Sequence, residues 1–128
     1  MEMEDHDIRA ALDRHWTASD ANDFEAEHEI YREDAVLEYP QSGERLRGRH
    51  DIQASRMAQP DAKRFGVRRV LGAGGVWVSE LEVRYGDRLF HVVSVMEFDS
   101  AKVVRETQYF AEPFEPGPSR ARWVERIE

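Results

Sequence analysis

The sequence predicts an α+β domain. Helical periodicity runs up to Tyr31, four extended segments follow Arg64, and the breaks between those segments are short enough for successive antiparallel pairing. Helices first and a meander afterwards is the pattern in which a curved sheet wraps around helices. At 128 residues the chain, 1–128, is expected to form one domain with a single core.

The elements follow in order. Ile8, Leu12, His15, Trp16 and Ser19, with Ala11 beside them, recur at helical spacing and define the buried face of a first helix. Asn22 followed by Glu25 resembles a capping box and predicts a second helix whose apolar contacts are Phe24, Ala26, Ile30 and Tyr31. Asp34 to Tyr39 reads as a strand closed by Pro40, Glu44 to Arg47 as a short strand, and Gly48 to Ala58 as a third helix stopped by Pro60. The extended segments are Arg64 to Leu71, Val76 to Tyr85, Arg88 to Phe98 and Lys102 to Phe110, broken at Gly72–Gly75, Gly86-Asp87 and Asp99-Ser100. The proline-rich stretch after Glu112 cannot continue a sheet. Trp123, Val124 and Ile127 are too apolar to be left in water, so the tail is expected to cover the barrel mouth or pack on a second subunit.

Lys and Arg number 18 against 26 Asp and Glu, a formal net charge of −8, which argues against a nucleic-acid partner. The basic clusters Arg45, Arg47 and Arg49, and Lys63, Arg64, Arg68 and Arg69, are read as solvated faces. With no cysteine there is neither a thiolate nucleophile nor a disulfide. His28 and His91 belong to no ligand cluster, His6 and His50 read as exposed, and no metal site or cofactor is expected. The acidic start, Met1 to Asp5, lacks the apolar run of a signal peptide and no stretch is long enough for a membrane span, so a cytoplasmic protein with no membrane partner is the default expectation.

The segment from Leu89 to Phe110 reads as a hairpin of two long strands around a tight turn at Asp99 to Lys102, and polar residues sit inside this apolar stretch. On its second arm strict alternation puts Val104, Glu106, Gln108 and Phe110 on one face and Val103, Arg105, Thr107 and Tyr109 on the other. If the first face lines a cavity, Glu106 is desolvated and its pKa rises, which suits a general base; facing outward, it would pair in solvent. Glu106→Gln is then expected to leave the melting temperature unchanged or higher. Glu80 shares a face with Val76, Val78 and Glu82, and either approaches Glu106 across the cavity or is a surface acid. His15, at the end of its helical stripe, is either a packed core histidine or a donor near the pocket acid.

The stretches His15 to Ala26, Tyr31 to Pro40, Gly48 to Ile52 and Lys102 to Phe110 resemble the nuclear transport factor 2-like superfamily, in particular its SnoaL-like members, over roughly Asp7 to Phe114. The resemblance implies a cone-shaped α+β barrel, N-terminal helices packed in a strongly curved, mostly antiparallel sheet, with a pocket at the open end. It places the core at about 7–114 and a tail at 115–128. Within the superfamily, the comparison with ketosteroid isomerase, a worked example of pKa tuning, implies that its oxyanion-donating tyrosine falls on His15, its supporting tyrosine on Tyr31, its base aspartate on Tyr39 and its protonated aspartate near Ser94. Two of those groups are absent, which argues against that isomerisation mechanism. SnoaL-type cyclases carry a catalytic histidine and acid on the last strand, which map approximately onto Glu106 and Gln108.

The expected catalytic set is therefore Glu106, His15 and Tyr39, with Trp16, Tyr31, Glu80, Ser94, Met96, Gln108 and Phe110 as ligand-binding residues. Two functions are carried forward. One is a cofactor-free lyase, isomerase or cyclase acting on a neutral, largely apolar small molecule; the other is a non-enzymatic binding or dimerisation module. A homodimer is expected in either case.

Overall fold

A computed structural model describes residues 4–127, so Met1 to Met3, part of the acidic start, lie outside the described residues. The elements are α1 (Asp5–Ala21), α2 (Phe24–His28), β1 (Tyr31–Tyr39), β2 (Glu44–Arg47), α3 (Arg49–Met57), β3 (Lys63–Ala73), β4 (Val76–Tyr85), β5 (Arg88–Asp99) and β6 (Lys102–Ala111). They form a cone: one curved six-stranded sheet, ordered β2-β1-β6-β5-β4-β3, holds the helices on its inner face. Every neighbouring pair is antiparallel except β1 and β6, which run parallel. Among the described residues no helix is long and apolar enough to cross a membrane.

The expected stripe of α1 is buried as read, Ile8, Leu12, His15, Trp16 and Ser19 all facing inward. Asn22 does not open α2. It ends α1 in a left-handed conformation (φ 57°), and its side-chain amide donates to the Lys63 carbonyl at 2.8 Å, tying the helix end to the start of β3. Asp23 is the cap instead, accepting from the Ala26 amide at 3.2 Å. α2 is only five residues long, because Ile30 and Tyr31 are drawn into the sheet: the Val103 amide donates to the Ile30 carbonyl at 2.9 Å, and Tyr31 pairs with Val103. The first strand thus begins three residues before Asp34.

A bulge corrects the alternation on β6. Phe98 pairs with Val103 and Glu97 with Arg105, which leaves Val104 as the extra residue. Val103 therefore enters the core, Val104 is only half-buried, and Glu106 and Gln108 still point inward. On β4 the buried face is Trp77, Ser79, Leu81 and Val83, so Glu80 lies on the outer face of the sheet. There it pairs with Arg69 at 3.0 Å and Arg68 at 3.9 Å, and it does not approach Glu106.

The tail does not cover the mouth. After Ala111 the chain leaves the sheet, and Phe114, Val124 and Ile127 are exposed, as is Trp123 at 74 %.

Candidate functional site

The site is built around Glu106. On β6 it sits between Leu37 of β1 and Met96 of β5, both buried, and it is itself 0 % exposed. A bare carboxylate there would cost several kcal/mol. It is not bare. Ser94 Oγ donates to Oε2 at 2.6 Å, Gln108 Nε2 to Oε2 at 2.8 Å, Arg56 Nη2 to Oε1 at 3.2 Å, and the Tyr31 hydroxyl also donates to Oε1. Burial pushes the Glu106 carboxyl up, but the Arg56 guanidinium, with the hydrogen bonds from Ser94 and Tyr31, outweighs it and holds the pKa below the ordinary carboxylate value. The expectation of a raised pKa is thus reversed. The reason is Arg56, a guanidinium from α3 that reaches over the Tyr31 ring, 5.5 Å from its centroid, to the buried acid.

Arg56 organises a second group as well. Its Nη1 donates to the Tyr31 oxygen at 2.9 Å and to His28 Nε2 at 3.2 Å, and lies 3.8 Å from Glu27 Oε2. Glu27 is also paired with Lys63, 3.2 Å away. Lys63, read from sequence as part of a solvated basic face, is instead buried against Phe24, its ammonium 4.4 Å from that ring. Burial lowers the His28 pKa to about 4, with Arg56 acting in the same direction. Its Nδ1 faces the Phe24 carbonyl at 2.6 Å and must carry the proton, so Nε2 accepts from Arg56. His15 has the same tautomer: Nδ1 donates to the Glu27 carbonyl at 2.6 Å, burial depresses its pKa, and Nε2 is buried without a partner among the described residues.

Above this layer opens a cavity of about 860 Å³, within the size range of small-molecule sites. Trp16, Phe65, Tyr85, Phe90, Val92 and Phe110 form an apolar wall; Tyr39, Arg56, Gln108, Glu27 and Lys63 supply the inner part of its polar side, and the exposed Glu44, Arg45, Asp61 and Arg88 add charge of both signs. Trp16 is fixed by stacking on Phe65, with centroids 5.5 Å apart, and by its indole N–H donating to Ser79 Oγ at 3.0 Å.

Of the residues singled out by sequence, Trp16, Tyr39, Gln108 and Phe110 line this cavity. Glu106, Tyr31 and Ser94 form the hydrogen-bonded layer beneath it, and His15 packs beside them, 5.7 Å from the Tyr31 ring and 4.4 Å from Trp16. Neither Glu106 nor His15 is on the cavity surface, so neither is placed to touch a ligand there. Met96 is core packing and Glu80 is on the opposite face of the sheet. Arg56, Lys63, Glu27 and His28 were missed. One signal for Arg56 was present: it follows Ile52 by four residues, and Ile52 is the buried residue of α3, so both project from one helix face. Among the described residues no group of three or more His, Asp or Glu is arranged to hold a metal.

A cone of this topology defines a class of fold. Residues 12–106 match the SnoaL-like domain, and the chain belongs to that family. Its fold is shared with an NTF-2 like protein of unknown function from Burkholderia xenovorans LB400, 49% identical over 98% of this chain and 99% of that one, TM-score 0.94. A "putative ketosteroid isomerase" from Kribbella flavida DSM 17836 is 28% identical over 94% and 89% of the two chains, TM-score 0.83. An LEH-like epoxide hydrolase of M. tuberculosis, 21% identical over 80% of each chain with TM-score 0.68, shares the fold. Among curated proteins none matches.

Proposed function

We propose that the chain is a small-molecule pocket protein that takes a neutral, largely apolar ligand carrying a carbonyl-type oxygen. The observation behind this reading is the balance of charge around the cavity. Among the described residues the ionic groups of the layer are two cations, the half-buried Arg56 and the buried Lys63, against two buried carboxylates, Glu27 and Glu106, while His15 and His28 are held neutral. The two further arginines that line the cavity, Arg45 and Arg88, are paired with Glu38 and Glu112 at 2.6 Å each, so among the described residues an anionic ligand would meet no unpaired cation and would lose its hydration. A neutral oxygen needs only donors, and the Tyr39 hydroxyl and the Arg56 guanidinium at the cavity supply them. Burial raises the Tyr39 pKa, with Arg56 opposing, so the phenol keeps its proton at neutral pH.

The same donors would stabilise an enolate or other oxyanion formed from that carbonyl, which is the chemistry of a cofactor-free isomerase, lyase or cyclase. Glu106 in this reading is a positioning residue that holds Arg56, and not the base. The test is calorimetric titration with acetophenone, ethylbenzene and benzoate, which share a ring and differ in the polar group. Acetophenone should bind tightest, and Tyr39→Phe should weaken acetophenone several-fold while leaving ethylbenzene unchanged. Benzoate binding tightest would overturn the reading.

A further inference from the structure

The ion-paired layer also fixes the orientation of one amide at the cavity, and that orientation carries information about the ligand. Glu106 is ionised and can only accept hydrogen bonds. Gln108 must therefore turn its NH₂ toward the carboxylate, and Nε2 does donate to Oε2 at 2.8 Å. Its carbonyl oxygen, Oε1, is then directed away from Glu106. Among the described residues Oε1 has no protein partner, yet His15 Nε2 is the sole buried side-chain atom left without one. Gln108 Oε1 is consequently open to the cavity that this residue lines. Arg56 is held on the other oxygen of the same carboxylate, Oε1 of Glu106 at 3.2 Å. One carboxylate thus anchors, through its two oxygens, the donor Arg56 and the acceptor-bearing Gln108, and both line the cavity.

We infer that the ligand carries a hydrogen-bond donor next to its carbonyl-type oxygen, as an α-hydroxyketone or an enolised dicarbonyl does, and that Gln108 Oε1 reads that donor. This rests on the pocket reading proposed above and narrows it. A simple ketone meets Arg56 and Tyr39 but strips the water from Gln108 Oε1 without replacing its hydrogen bond, and an ether in place of the hydroxyl does the same with added bulk. Gln108 is on this account a specificity-determining residue. A Gln whose amide were free to turn could offer N–H or C=O equally; here the charge of Glu106 removes the choice.

The experiment compares 2-hydroxyacetophenone, 2-methoxyacetophenone and acetophenone on the native chain and on Gln108→Met, which keeps the side-chain length and loses the acceptor. The native chain should bind the hydroxyketone about tenfold tighter than the methoxy ether. Gln108→Met should reduce that ratio to near one, and a circular dichroism spectrum matching that of the native chain shows that the variant is folded. A native chain that binds acetophenone but does not discriminate the hydroxyl overturns this inference and leaves the pocket reading standing. So does a preference that survives in Gln108→Met. If the native chain binds none of the three, both readings fall.

Discussion

Glu106 and Arg56 depend on one another, and the consequence is measurable. Glu106→Gln leaves the Arg56 guanidinium, whose side chain is 12% exposed, with Glu27 at 3.8 Å as its remaining counter-charge. Removing one partner of a buried pair strands the other charge, which costs about 3 kcal/mol, or roughly 10 °C of melting temperature for a domain of this size. That is opposite to what the sequence suggested, because a long side chain on a separate helix cannot be seen from β6. Differential scanning fluorimetry decides it; an unchanged melting temperature would mean that Arg56 is not bound to Glu106. The second residue-scale effect is on pH. His28 titrates at about 4 when folded and at about 6.5 when unfolded, so between those values the unfolded chain binds the extra proton and stability rises with pH. Protonation would set a new N–H against Arg56 Nη1, 3.2 Å away. Urea unfolding should therefore show a loss on the order of 2 kcal/mol between pH 6.5 and pH 4, added to by Glu27 and Glu106, whose depressed carboxyl pKa values contribute stability that disappears at still lower pH. His28→Asn should flatten the upper part of that profile.

The elements were legible where a local rule decides them and obscure where a neighbour does. The meander is written in β-branched residues and short turns, and β4 begins and ends where the sequence placed it. The start of β1 is set by pairing with β6, and the bulge at Val104 by the geometry between β5 and β6, neither of which has a local signature. α3 was recognised as a helix, but the reach of its Arg56 to Glu106 and Tyr31 was not, since an arginine near a helix C-terminus is ordinary in sequence. Close packing between β3 and β4 supplies the element-scale prediction. A Cβ on Gly72 would lie 2.6 Å from Trp77 Cδ2 and 2.6 Å from the Val76 carbonyl oxygen. Trp77 is a core residue whose indole N–H donates to the Gly74 carbonyl at 2.9 Å, so it cannot step aside freely. Gly72→Ala should cost about 2 kcal/mol by overpacking and should shift the tryptophan emission. An unaltered denaturation midpoint would show that this hairpin yields.

At the scale of the whole molecule the surface is too large. The chain exposes 8648 Å², roughly 1,600 Å² more than a compact monomer of its mass would. The open cavity and the projecting tail account for some of this; the outer face of the sheet, with Val67, Val93 and Tyr109 exposed, is another part. A second copy is the proposed cover for that face. It presents both signs of charge, Arg68 and Arg69 beside Glu80, and Arg105 beside Glu97, so a two-fold axis can set arginines against acids, and one partner's share of a standard interface is about 800 Å². Sedimentation equilibrium should give twice 14.9 kDa at micromolar concentration, and a monomer at that concentration would refute the pairing. The parallel seam between β1 and β6 governs the order in which the molecule can be made. Tyr31 finds its strand partner only at Val103, and Glu106 lies beyond that point. On the ribosome, Arg56 and Lys63 emerge with Glu27 alone to neutralise them, and β1 waits with one edge bare. A nascent chain halted at Asp99 should accordingly be cleaved by protease throughout, because the strand that closes the cone is also the one that delivers the missing negative charge.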